Sequence, residues 1–223
     1  MNPSHSSSHN KSTSQFISIE GQDGAGKTTN LEFICQQLTK NKIPYIVTRE
    51  PGGTPLGESI RDILLNRNEL EITPISELLL MFAARAQHLE NVIEPALRKG
   101  VWVVCDRFTD ASFAYQGGGH GIHASTIQTF ADIVQKNRVP NLTIMLDVDI
   151  QTGESRVNTR NQEKDRYEQQ QSDFKTRVRD TYLSLAKAEP ERIKLIDASN
   201  SIENVTAQIS TILSEFIKIK TKT

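Results

Sequence analysis

The sequence predicts an α/β fold in which one five-stranded parallel sheet carries helices on both faces. Short apolar runs rich in β-branched residues recur at Phe16–Ile19, Tyr45–Val47, Val101–Cys105, Leu142–Leu146 and Arg192–Asp197. The segments between them show helical apolar periodicity, the alternation that builds a parallel sheet. The run Val101-Trp102-Val103-Val104-Cys105 has no polar alternation, as a strand buried on both faces requires. A length of 223 residues suits one large domain or two small ones, and neither a repeat nor a second domain is apparent.

Composition narrows the function class. The chain is 36% hydrophobic and 24% charged, the balance of an ordinary globular protein. With 26 basic and 27 acidic residues the net charge is -1, which gives no bulk attraction for nucleic acid. Cys35 and Cys105 lack metal-ligand spacing and read as reduced thiols. No apolar run reaches membrane-spanning length, and the N-terminus lacks the apolar centre of a secretion signal, so a cytoplasmic protein is expected. Residues 1–14, dominated by Ser, His, Asn, Lys and Thr, read as a disordered polar tail; the folded domain is expected over 15–223.

The most informative stretch is Gly21-Gln22-Asp23-Gly24-Ala25-Gly26-Lys27-Thr28, followed by Thr29. It fits GxxxxGK[ST], with an apolar strand before it and Leu31, Ile34, Cys35 and Leu38 on one helical face after it. A glycine turn opening a helix aims backbone N–H groups and the positive end of the helix dipole at an anion. Lys27 is expected on the β- and γ-phosphates of a nucleoside triphosphate and the Thr28 hydroxyl on Mg²⁺. The fold is therefore expected to be a P-loop NTPase domain.

Further along, Arg49 precedes the Pro51-Gly52-Gly53 turn at a strand's C-terminal end and is expected to face the ligand crevice. Helices are predicted from Pro55 and from Pro74, the second running through Leu78, Leu79, Phe82, Leu89, Val92 and Ile93. By pattern Phe82 is a core residue; beside Arg85 it is also a candidate base-stacking wall. Asp106 and Arg107 end the central strand, where an acid can hold Mg²⁺ and an arginine a second phosphate. Thr109 to Gln116 reads as a short helix and Gly117-Gly118-Gly119 as a flexible or closely approached loop. Asp147 and Asp149 end the next strand; they are rivals to Asp106 as metal partners but are expected instead to cap the helix that follows. The polar stretch from Arg156 through Arg160 to Arg166 reads as a solvated helix end or, with the lid placed at about 156–168, as a mobile cover bringing arginines to the transferring phosphate. These parts together imply a small-molecule kinase.

The set Glu20–Thr29, Thr48-Arg49-Glu50-Pro51-Gly52-Gly53-Thr54, Phe82-Ala83-Ala84-Arg85, Asp106-Arg107 and Ala114-Tyr115-Gln116-Gly117-Gly118-Gly119 resembles the bacterial thymidylate kinases, from about Phe16 to the last helix. That resemblance implies ATP as donor, Mg²⁺, dTMP as acceptor and a homodimer. It also implies that Asp23 accepts from the 3′-hydroxyl of dTMP and that Arg49 and Arg107 hold the acceptor phosphate. Asp106 would help to organise Mg²⁺. Phe82 would stack on thymine, with Arg85, Gln116 and nearby Ser112 reading its polar edge. Tyr115 would crowd the 2′ position, and Arg156, Arg160 and Arg166 would serve the lid. Gly24 stands where some relatives carry a phosphate-loop arginine, and His120 stands where many have arginine; His120 is given no role. The nearest alternative is a kinase for another nucleoside monophosphate. A P-loop GTPase would need an Asn-Lys-x-Asp motif, which is absent, a nucleic-acid-linked ATPase would be expected to show a concentrated basic face or an added domain, and a pure binding module is hard to reconcile with Lys27, Thr28 and Asp106 together.

Overall fold

A computed structural model of the chain describes residues 14–67, 69–159 and 165–221. Of the expected tail only Ser14 is included, and its hydroxyl donates to the Leu97 carbonyl at 2.7 Å. Arg160 and the adjoining residues 161–164 of the expected lid lie outside the described residues.

Five strands form one parallel sheet in the order β2-β3-β1-β4-β5: β1 (Phe16–Gly21), β2 (Tyr45–Arg49), β3 (Trp102–Asp106), β4 (Leu142–Asp147) and β5 (Ile193–Asp197). Alternate residues of the apolar strands serve opposite layers. Ile17, Ile19, Trp102, Val104, Ile144 and Leu146 pack under α1 (Lys27–Lys40) and α9 (Ile202–Thr221). On the other face Phe16, Val103 and Cys105 join Leu89, Ile93 and Phe108, and Met145 and Ile193 join Phe174, Val178 and Tyr182. The chain leaves β1 toward β2 and β3 and later crosses to β4 on the other side. The carboxyl ends of β1 and β3 therefore border a topological switch point, where open α/β sheets bind ligands. The register sets Asp106 beside both Ile19 and Arg49, which brings the two strand-end motifs into one row.

The connecting helices are α2 (Pro55–Leu65), α3 (Pro74–His88), α4 (Glu94–Arg98), α5 (Thr109–Ser112), α6 (Ala124–Gln135), α7 (Ile150–Asn158) and α8 (Ser172–Ala188). Both α2 and α3 open on a threonine cap followed by proline, the Thr54 hydroxyl accepting from Gly57 N and that of Thr73 from Ser76 N. Asp149 caps α7 by accepting from Thr152 N at 2.9 Å, as expected, while Asp147 forms a bidentate pair with Arg179.

Two helical expectations are corrected. The helix from Pro74 does not run on regularly, because a π-helical turn at Leu89–Ile93 separates α3 from α4 just before Pro95, whose ring disrupts a regular turn. The three glycines are not a loop: Phe113–Gly119 continues α5 as a π-helical segment. Close packing explains why. A Cβ on Gly118 would lie 2.1 Å from Thr181 Oγ1, and one on Gly119 would lie 2.4 Å from Phe174 Cε2, so the glycines let this segment press against α8.

Candidate active site

Gly21 to Gly26 wraps the end of β1 into the start of α1. Positive φ at Gly21, Gly24 and Gly26 produces the wrap. A Cβ at Gly24 would lie 2.2 Å from the Gly153 carbonyl, so an arginine side chain here would displace α7. Ala25 N donates to the Gln22 carbonyl, closing the turn. Lys27 Nζ folds back onto the loop, donating to the carbonyls of Gly21 and Gln22 at 3.1 and 3.0 Å, with Asp23 Oδ1 at 3.6 Å. Burial first, and then the Arg107 cation, lower the ammonium's pKa.

The sheet's carboxyl edge opens into a cavity of about 290 Å³. Asp23, Lys27, Thr28, Asp106 and Arg107 line one side, while Arg61, Met81 and Tyr115 line others. Arg107 is fixed from four directions. Its Nη1 donates to the Gly21 carbonyl at 2.7 Å and to Tyr182 Oη at 3.3 Å, its Nη2 donates to Asp23 Oδ1 at 2.7 Å, and its guanidinium stacks on the Tyr115 ring at 5.0 Å. Tyr182 in turn donates to the buried Glu20 at 2.9 Å. Asp106 Oδ1 is buried without a hydrogen-bond partner, an orphaned anionic oxygen beside the Thr28 and Lys27 of the phosphate loop. Among the described residues no cluster of three metal-ligating side chains exists. One carboxylate and one hydroxyl fit Mg²⁺, which keeps waters and substrate phosphates as its remaining ligands.

A second cavity of about 250 Å³ lies on the far side of Gly26, lined by Thr29, Asn30, Arg156, Ala198 and Asn200. Arg156 Nη1 donates to the Ala198 carbonyl at 2.9 Å and to that of Gly24 at 3.4 Å. It is thus built into the wall of this cavity and is not a free lid arginine. Arg166 is also committed elsewhere: it donates to the Leu64 carbonyl at 2.9 Å and to the buried carboxylate of Glu77.

Arg85 of α3 is 2% exposed and its side chain reaches across to α5. Its Nε donates to Glu50 at 2.7 Å, and its Nη2 donates to Ser112 Oγ at 3.1 Å and the Phe108 carbonyl at 3.2 Å. His88 and Thr48 brace the other end of that carboxylate, at 2.9 Å from His88 to Glu50 and 2.6 Å from His88 to Thr48. Gln116, one turn beyond Ser112, donates through Nε2 to Glu77 at 2.7 Å and to Tyr167 Oη at 3.3 Å. Three buried atoms in this region have no hydrogen-bond partner: the donor Arg85 Nη1, the acceptor Gln116 Oε1, and His120 Nε2, which lies 3.3 Å from Glu77 Oε1. Tyr115, in the same segment, has its hydroxyl 3.5 Å from Asp23 Oδ2.

Two site residues that the resemblance implies do not line this cavity, and for Phe82 the core position is the one its apolar pattern predicts. Phe82 is in the core, 2% exposed, packed with Leu78, Ile127 and Ala131 and 5.7 Å from the Phe130 ring. Its neighbour Met81 faces the cavity instead, because one residue is a rotation of about 100° around a helix. Arg49 turns toward the surface, its half-exposed guanidinium donating to Glu58 at 2.7 Å, while Arg61, one element later, lines the cavity. Sequence reasoning also missed Glu77, Glu50 and His88. The cue was available for these three: polar residues at helix or strand-end positions whose spacing places them inside, as the burial of Glu77 and His88 at 0% exposure bears out.

Comparison with known proteins agrees with this geometry. A family model for thymidylate kinase matches residues 19–209. The thymidylate kinase of Chromohalobacter salexigens is 48% identical over 202 residues, 90% of this chain and 95% of that protein. That of Pseudomonas savastanoi pv. phaseolicola is 45% identical over 208 residues, covering 93% and 99%. Among solved structures, thymidylate kinase from Ehrlichia chaffeensis superposes with a TM-score of 0.71 at 35% identity, covering 90% of this chain and 98% of that one. Phosphate loop, strand-end acid and arginine, and the match along nearly the whole chain agree: the protein belongs to the thymidylate kinase family.

Proposed function

We propose that the chain transfers the γ-phosphoryl group of ATP to dTMP, giving dTDP and ADP, through the residues lining these two cavities. The observation that carries the choice of acceptor is the pair of unpartnered buried atoms, Arg85 Nη1 as donor and Gln116 Oε1 as acceptor. A 4-oxo pyrimidine offers the complementary edge, a carbonyl oxygen at C4 and an N–H at N3. Leaving such groups unpaired costs roughly 1–3 kcal/mol each, so a base that completes them is strongly preferred over one that does not.

The donor's base and sugar occupy the cavity bordered by Arg156 and Ala198, with its phosphates over Gly21 to Thr29 and Lys27 shifting from loop carbonyls to phosphate oxygens. Thr28 and Asp106 would hold Mg²⁺, which when bound would supply charge neutralisation at the β- and γ-phosphates. Arg107, with Arg61 beside it in the same cavity, holds the acceptor phosphate. An oxygen of that phosphate attacks the γ-phosphorus as the bond to the β-phosphate oxygen breaks. Asp23, fixed by Arg107, accepts from the 3′-hydroxyl, and Tyr115 closes the space beside the sugar's 2′ position. Met81 supplies the apolar wall for the base. The residues spanning about 156–168 act as the lid, with Arg160 its candidate for the transferring phosphate. Water exclusion by this lid keeps the γ-phosphoryl group from hydrolysis.

Pairing of two copies is supported by an exposed apolar stripe on α3, Ile75 and Leu79 with Ala83 and Ala86, beside Ile133 of α6, which is 66% exposed. A cytoplasmic setting is supported by the two free cysteines and by ATP as donor; no described helix is long and apolar enough to cross a membrane. The test is ADP formation with Mg-ATP and a panel of dTMP, dUMP, UMP, dCMP, AMP and GMP. The expected result is a strong preference for dTMP. Equal turnover of AMP or GMP would discard the base-site reading, and ADP formation independent of acceptor would discard the kinase.

A further inference from the structure

Glu77 of α3 is a charged side chain with no exposed surface and no evident place in the phosphoryl transfer. Three groups converge on it. Gln116 Nε2 donates to Oε1 at 2.7 Å, Arg166 Nη2 donates to Oε2, and His120 Nε2 lies 3.3 Å from Oε1. Burial raises the carboxyl's pKa, but His120, Gln116 and Tyr167 beside it outweigh burial and hold it at about 2. Glu77 is therefore an ionised carboxylate that can only accept hydrogen bonds.

That chemistry fixes the neighbouring amide. Gln116 must turn its NH₂ toward Glu77, and the second N–H of that group is taken by Tyr167 Oη at 3.3 Å. Both donors are then used, and Oε1 is left facing away, buried and unpartnered. We infer that Glu77 is the positioning residue for 4-oxo against 4-amino discrimination, acting through the Gln116 amide without touching the acceptor. With Oε1 presented, the site accepts from an N3–H; with the amide reversed, it would donate to the unprotonated N3 of a cytosine-type base. This rests on the assignment of Gln116 to the base edge.

Glu77→Gln tests it sharply. Arg166 can only donate, so the carbonyl of a glutamine at 77 is drawn to it. The NH₂ of that glutamine then faces Gln116, whose amide reverses to meet it. The measurement is the ratio of kcat/KM for dTMP to that for 5-methyl-dCMP, two acceptors that differ only at N3 and C4. Glu77→Gln is expected to lower this ratio by about tenfold or more. Arg166→Met, which frees the other carboxylate oxygen without addressing Gln116, is expected to keep the ratio within about threefold of wild type.

An unchanged ratio in folded Glu77→Gln would overturn the inference. So would an equal fall in Arg166→Met, because selectivity would then follow the attachment of the segment after the lid and not the amide. If Glu77→Gln does not fold, the wild type still decides: discrimination between the two acceptors below about tenfold leaves nothing for Glu77 to set. Absence of any dTMP-dependent turnover in the wild type would instead remove the kinase reading itself, a separate outcome.

Discussion

Replacing Met81 and Phe82 one at a time separates the two possible base walls. Phe82 is 2% exposed within a cluster of Leu78, Ile127 and Ala131, with Arg85 Cζ 4.7 Å from its ring centroid. Phe82→Ala therefore opens a core cavity and loses a cation–π contact, a cost of about 3–5 kcal/mol. In a domain of this size that is a Tm fall of roughly 6–20 °C. Met81 lines the cavity at the sheet's carboxyl edge, where the proposed acceptor site lies. Met81→Ala removes part of an apolar wall, which lowers kcat/KM for dTMP by about 5–30-fold, equivalent to roughly 1–2 kcal/mol, with little change in the KM for ATP. Thermal denaturation gives the first quantity and steady-state kinetics the second. Phe82→Leu, which keeps most of the volume, is the kinetic comparison measured well below its Tm. The reasoning is refuted if Phe82→Leu keeps its Tm and loses dTMP selectively while Met81→Ala leaves kcat/KM for dTMP unchanged.

Three further outcomes are expected. Glu20 is buried, accepts from Phe108 N and Tyr182, and has its pKa pushed up to about 8 by burial first and Asp110 second. The unfolded chain releases this proton near 4.5 and the folded chain near 8, so the group's contribution falls as pH rises through that window and levels off above it. Denaturant titrations of Glu20→Gln should show a flatter stability profile there, and an unaltered slope counts against a protonated Glu20. Gly118→Ala drives a Cβ to 2.1 Å from Thr181 Oγ1 and 2.7 Å from the Arg177 carbonyl. It should lower stability by about 1–3 kcal/mol, and a normal Tm would mean that α8 yields freely. Arg61→Met should raise the KM for dTMP about tenfold and that for ATP much less; equal shifts in both would take Arg61 off the acceptor side.

The parts legible in the sequence are those whose function depends on backbone geometry at short range. Gly21 to Thr28 could be read because glycine spacing, the following helix and the lysine are fixed by consecutive residues. The five strands were legible from apolar runs, and Asp106 and Arg107 from their position at a strand's end. Side-chain direction on helices was not. A pattern of apolar residues does not distinguish Met81 from Phe82, since both fall within the wide buried face of α3. The aromatic is the more tempting base wall, yet Ile127 and Phe130 from α6 claim it for the core. The Gly117-Gly118-Gly119 run is closely approached, as its sequence allows, but it is helical and not a loop: low intrinsic helix propensity is overridden where α8 comes too near for a Cβ.

The arginines illustrate the harder limit. Arg49, Arg61, Arg156 and Arg166 all have a plausible claim on phosphate by charge alone, and a sequence weighs them equally. What separates them is the acceptor each one finds: an exposed carboxylate for Arg49, the Ala198 carbonyl beside the second cavity for Arg156, and buried Glu77 for Arg166. Arg61 donates to the Pro51 carbonyl at 3.0 Å and still lines the first cavity, where Arg107 and Asp106 are its neighbours. Three of these partners lie at least 10 positions away in the chain and the fourth, Glu58, is 9 away. Pairing at a distance in the chain therefore draws Arg49, Arg156 and Arg166 away from the first cavity, and Arg107, held by the phosphate loop itself, is the one whose position the sequence could anticipate.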